Sequence, residues 1–431
     1  MSAVQQVLLS TKNLFIRFGN LDGNIFKIFN LNGNTFFNNN THIGNEVVSS
    51  GIAGSTTPTN NIFITKRNIS DFSQIWGKLI DITPFQYGAG TSHMTQTTDG
   101  DFVVFTSRTE SNGPDVTRFF LVKVNSTGNI VYSKFVDVSD RTSTKCINVL
   151  AVLSGHYYIS WFNYNTLTIH IKKFTNNGVS VWERSVTLTA QNESAINFVN
   201  GMSISPFNGD IAICIDSARI YVFDLNGNLK FSKQISGSGS ISMGSIAFDE
   251  LSNLYCSFRT QVNTGVTVYN NVLIKISPAG DLIFSKRSSN NTVSNTPQVP
   301  IHSVDFSRIY LVGMSSVTGK ISIRILDLDG NEITSKIVSG PSNLAVSENS
   351  PLITESGLIV KINNIAAVFP KNLPSNGAYN GYTISDIDFN MTNSIDISLV
   401  NISPSVSSPS TSYNSVTLVA NDTNVTFATL V

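Results

Sequence analysis

IYVFDLNGNLKFSK, residues 220–233, reads as two β-strands joined by a tight turn. The apolar run before the turn and the alternation after it suit a pleated, half-buried ribbon. Asp224-Leu225-Asn226-Gly227 supplies the turn, since glycine takes a positive φ at no steric cost and Asn or Asp tolerates it better than most residues. The unit recurs along the whole chain. Its copies are KIFNLNGNTFFNN (27–39), IFITKRNISDFSQIWGK (62–78), FLVKVNSTGNIVYSK (120–134), IHIKKFTNNGVSVWERS (169–185), VLIKISPAGDLIFSK (272–286), IRILDLDGNEITSK (323–336) and IAAVFPKNLPSNGAYNG (365–381).

Phe72 and then Gly128, Gly178, Gly227, Gly280, Gly330 and Gly377 hold the equivalent place, at intervals of 56, 50, 49, 53, 50 and 47 residues. Gly33 marks one more turn, only 39 residues before Phe72. An aromatic recurs shortly after the turn as Phe37, Trp76, Tyr132, Trp182, Phe231 and Phe284, with Thr334 as the exception. One large ring per unit suits a contact between neighbouring sheets. Lys78, Lys134, Arg184, Lys233, Lys286 and Lys336 follow on the same strand face, where a long stem can lie beside the ring.

Before each hairpin runs another strand, more continuously apolar: DFVVF (101–105), YYISWF (157–162), DIAICI (210–215), NLYCSF (253–258), IYLVGM (309–314) and LIVKI (358–362). Continuous apolar runs imply burial on both faces. Upstream lies a weaker stretch such as SHMTQTTDG (92–100), giving four strands per unit. Helical periodicity is nearly absent. Four-stranded antiparallel units repeated about every 50 residues predict an all-β propeller. The pattern Asp/Asn-x-x-Gly-Asn-x-x-aromatic-x-Lys, spanning residues 14 to 385, resembles the β-propeller repeats of bacterial and phage proteins. The sialidase-type Asp-box is not matched, because TNNGVSVW (175–182) lacks its Asp and has an extra residue before the Trp.

The spacing predicts seven blades within residues 1–385, the N-terminal strands helping to close the ring, with eight blades as the alternative. Residues 386–431 leave the repeat. Their alternating runs IDISLVNI (395–402), SVTLVA (415–420) and VTFATLV (425–431), with a Ser/Pro linker at 403–412, read as a small C-terminal β-appendage docking on the ring or on another subunit.

Basic and acidic residues balance at 28 each, which gives no electrostatic footprint for nucleic acid. Charged residues are only 13% of the chain, and Ser, Asn and Thr carry the polarity. Cys146, Cys214 and Cys256 are too few for a disulfide framework and read as small buried hydrophobes. His42, His93, His156, His170 and His302 are scattered and form no ligand motif. Asp327-Leu-Asp329-Gly-Asn331-Glu332 has the alternating carboxylates of a calcium loop, but sister turns such as NLNGN (30–34) do not, so a turn role covers them all. GSGSISMG (237–244) lies between strands, without a following helix to hold phosphate. No catalytic, cofactor-binding or metal-ligating residue is assigned, and the chain is expected not to be an enzyme.

The N-terminus shows no export signal and no apolar run spans a membrane, so the expected place is a virion, reached from the host cytoplasm. The expected function is that of a virion structural protein, a phage tail or appendage component in assembly or host attachment. Its expected partners are other virion proteins in a homo- or hetero-oligomer and a host surface glycan or protein, with no nucleic acid and no membrane insertion. A carbohydrate-binding propeller is the alternative, a glycan-active enzyme the next.

Overall fold

The computed structural model describes residues 27–429 except the segments 32–34, 44–45, 54–60, 69–72, 82–88, 110–116, 139–143, 153–154, 164–165, 189–200, 216–217, 264–266, 289–300, 306, 315–318, 341–351, 354–356, 363–364, 380–381, 387–390, 395, 410–413, 416–418 and 423–426. Every pairing of strands among these residues is antiparallel, and the ladders form six five-stranded sheets and one six-stranded sheet. Six sheets are built on four strands consecutive in sequence. These are blades I (35–81), II (89–138), III (144–187), IV (202–236), V (240–288) and VI (301–339). First strands of successive blades touch, and the ring returns through Leu352–Ile353 to blade I.

Within a blade, burial follows the sequence pattern. The second strand of blade III, His156–Asn163, is buried from Tyr157 onward, and that of blade IV, Ile211–Ile215, throughout. Fourth strands are only partly buried, with exposed, half-buried and buried residues mixed, as in Leu229–Ser236. Apolar clusters lie between blades and not within them. Tyr158, Phe162, Ile169 and Ile171 of blade III pack on Ile211, Ile213, Tyr221 and Phe223 of blade IV. A propeller core is thus a set of face-to-face sheet contacts, which is why the inner strands carry apolar residues on both faces.

The repeat count needs a correction: six units form self-contained blades, where seven were expected. The last unit supplies three strands, Leu352–Ile353, Gly357–Ile362 and Ile365–Pro370. Its fourth strand comes from the other end of the chain, Lys27–Leu31, paired on Ile365–Pro370. We call this composite sheet the seam. Gly377 therefore closes no hairpin in it, because Gly377–Tyr379 pairs with Tyr382–Asp386 on the outside of blade VI. Gly33 marks no eighth hairpin either. The strands on its two sides, Lys27–Leu31 and Thr35–Ile43, belong to the seam and to blade I. Phe72 and Gly33 themselves lie outside the described residues.

The described residues from Tyr382 onward form a belt. Tyr382–Asp386 pairs on blade VI, Met391–Asn393 on V, Ser398–Asn401 on IV, Ser405–Ser407 on III, Asn414–Ser415 on II, Val419–Asp422 on I and Phe427–Thr429 on the seam. The segment expected as an appendage supplies the outer strand of six sheets, running from blade V back to blade I and then to the seam, and the strand on blade VI begins just before it.

Candidate functional site: the blade junctions

The repeat residues converge where one blade meets the next. A Cβ at Gly178 would lie 2.9 Å from the Tyr132 ring of blade II, and one at Gly330 2.9 Å from the Phe284 ring of blade V. The turn glycines also hold positive φ, 74° at Gly178 and 76° at Gly330. Glycine is required twice over, by backbone conformation and by the ring of the preceding blade.

Cations complete the junction. Lys134 Nζ donates to the Gly178 carbonyl (2.5 Å) and Arg184 Nε to that of Gly227 (2.9 Å). One strand further in, Lys123 donates to the Asn176 carbonyl (3.0 Å), Lys173 to Leu225 (3.2 Å) and Lys275 to Leu328 (3.1 Å). The indole N–H groups of Trp76 and Trp182 donate to Ser126 and Leu225. A turn carbonyl in the next blade thus receives a charged donor, a stronger bond than a neutral pair makes.

The turn carboxylates are occupied locally. Asp327 Oδ1 accepts the N–H groups of Asp329 (2.9 Å) and Asn331 (2.8 Å), and Oδ2 accepts the Asn331 amide (3.0 Å). Asp224 and Asp249 repeat the pattern with Asn228 and Asn253. Partial burial alone would raise the Asp327 carboxyl, but the Asn331 and Asp329 donors outweigh it and hold it below the usual range. The calcium-like spacing is accounted for by an Asx turn. Among the described residues no three His, Cys, Asp or Glu side chains gather as metal ligands.

Two polar clusters lie deeper. In blade III, Glu183 accepts from Lys172 Nζ (3.0 Å) and bonds His170 Nδ1 (3.2 Å), while His170 stacks on Trp161 at 4.8 Å. Glu183 and Lys172 are buried. Between blades II and III, Lys123 bridges Asp99 (2.5 Å) and Asp101 (3.2 Å), and the Tyr132 and Tyr157 hydroxyls bond at 2.8 Å. Burial pushes the Tyr132 phenol up, its bond to Tyr157 opposes that, and the charges of Asp99 and Asp101 add to the rise.

Of the histidines, His93 is buried with Nε2 unpartnered, and burial brings it down to about 4. The side chains of His42 and His302 lie outside the described residues, as does that of Cys146. Cys214 and Cys256 sit in the apolar core between blades IV and V, where burial and then Cys214 push the Cys256 thiol well up. Most of loop 109–117 and of loop 287–300 lies outside the described residues.

The sequence reading missed one recurrent feature. Each fourth strand carries a β-bulge one residue before its ring position, at Ile75, Val131, Val181, Lys230, Ile283 and Ile333. The five aliphatic ones are about half exposed. A branched residue before Trp76, Tyr132, Trp182, Phe284 and Thr334 was the available signal.

No family model matches the sequence, and no curated protein does. Among solved structures the chain is similar to an ulvan lyase of a new polysaccharide lyase family, at 10% identity and a TM-score of 0.47 over 80% of this chain and 94% of that one. It is also similar to a subtype N10 neuraminidase-like protein of A/little yellow-shouldered bat/Guatemala, at 11% identity and a TM-score of 0.36 over 87% and 95%. AztD from Citrobacter koseri follows at 11% and 0.32, over 72% and 94%. At these identities the likeness is one of fold. It does overturn one expectation, that the chain is not an enzyme. Its neighbours in shape include a polysaccharide lyase and a neuraminidase-like protein, and that expectation is withdrawn.

Proposed function

We propose that this chain is a rigid attachment and assembly module of a virus particle, a tail or appendage component that binds sister proteins or a host surface glycan or protein. The observation that carries the reading is the belt, which adds a strand beyond the fourth strand of all seven sheets. A ring fastened at its perimeter as well as at its junctions suits a part that must hold its shape outside the cell, and its loops are free to vary. The charge-poor surface chemistry, with 13% charged residues, accords with this setting. Mass spectrometry of purified particles tests the proposal: the chain should be recovered in fixed proportion to the other particle proteins. Its absence from particles while it accumulates in lysates would overturn the reading.

A further inference from the structure

The belt does more than cover edges, because its last strand holds the first. Lys27–Leu31 is paired on Ile365–Pro370 on one side and on Phe427–Thr429 on the other. The seam is therefore shut by the far end of the belt. Each belt ladder is short, two to four residue pairs. Ladders of that length are marginal singly.

The belt is also fitted between blades. Ile397 is buried in the cluster shared by blades IV and V. A Cβ on Gly237 would lie 2.6 Å from its Cδ1, so the glycine makes room for the belt. Asp396 accepts Ser238 Oγ (2.5 Å) from the link between the two blades and Arg287 (3.4 Å) from blade V. The Ile402 carbonyl accepts Ser232 Oγ of blade IV (2.5 Å), and Lys233 donates to Asn401 Oδ1 (2.7 Å). Lys233 is the fourth-strand cation of blade IV. Its bond goes to the belt where Lys134 and Arg184 bond the next blade's turn.

We propose that the belt is a circumferential latch: the ring opens at its seam only after the belt peels from its C-terminal end, and this release sets the rate of unfolding. Interactions that break before the transition state for opening slow unfolding when they are reinforced.

Asn30 and Ala428 are directly paired, so the full-length double variant N30C/A428C can tie the end of the belt to the seam. Oxidation of that pair is expected to slow unfolding in guanidinium about tenfold or more, reversibly with reductant. A cross-link inside blade III, H156C/T175C on paired residues, is expected to leave the rate within about twofold. Equal rates for the oxidised and reduced belt variant, or an equal slowing by the internal cross-link, would overturn the latch. Hydrogen exchange of the unmodified protein gives a second reading. Residues 427–429 and 27–31 should exchange together and ahead of the second strands of blades II to V. Exchange of those strands while the belt stays protected would sink the proposal.

Discussion

Glycine and histidine carry the sharpest residue-level consequences. Gly178 and Gly100 both hold positive φ, but only Gly178 faces a ring, while a Cβ at Gly100 meets nothing within 4 Å. Gly100→Ala should cost about 1 kcal/mol from φ alone, and Gly178→Ala clearly more, since Tyr132 must also move. Chemical denaturation of the two variants separates the terms. Buried His93 is neutral in the fold and titrates near 4, against an unfolded value near 6.5. The unfolded chain binds the extra proton in that window, so stability falls as pH drops from 6.5 toward 4 and is flat below. The slope should approach ~1.4 kcal/mol per pH unit. His93→Phe should remove it, which a pH series of denaturation midpoints will show. Asp224 has the same sense in a lower window, because its turn donors outweigh burial and hold it low, so its contribution persists until pH falls below 3.8 and is lost from there down.

At the scale of the element, the fourth strand divides in two at its bulge. Before the bulge a strand faces the turn; beyond it the strand accepts the belt, at 78–81 in blade I and 286–288 in blade V. The belt ladders of the six blades begin three or four residues beyond the bulge. Blade III departs from its siblings by carrying Glu183 where they carry Gly77, Ser133, Ser232, Ser285 and Ser335. That carboxylate is balanced by Lys172 and His170. Lys172→Met should destabilise the protein by about 3 kcal/mol, because it strands a buried carboxylate. The double change Lys172→Met with Glu183→Leu should recover most of the loss. Urea denaturation of the three variants measures it, and full additivity of the two single losses would refute the pairing argument.

For the whole molecule, the ring closes through strands from opposite ends of the chain. Phe29 pairs with Ala366 and Thr429, so Phe29→Pro removes a ladder donor from a strand flanked on both sides. A loss of about 3 kcal/mol is expected. Because the seam is part of the ring, the transition of Trp161 and Trp182 in distant blade III should shift with it. Tryptophan fluorescence and far-UV circular dichroism should therefore move together; an unchanged fluorescence midpoint would show that the seam opens independently.

Local chemistry made much of this legible. The Asp/Asn-x-x-Gly-Asn turns, the ring after each turn and the doubly apolar second strands follow from φ, alternation and burial, and they determined the antiparallel unit and its repetition. Which blade a strand joins was legible only in part. KIFNL (27–31) closes the seam, as expected of the N-terminal strands, but GAY (377–379) reads as part of a hairpin and lies outside blade VI. Short alternating runs such as SLVN and SVS look alike on any edge, and their order on the ring depends on contacts far apart in sequence. The sequence alone determined the blade and its fasteners. Only the tertiary structure decided the belt, because an edge strand carries no local mark of the edge it will cover.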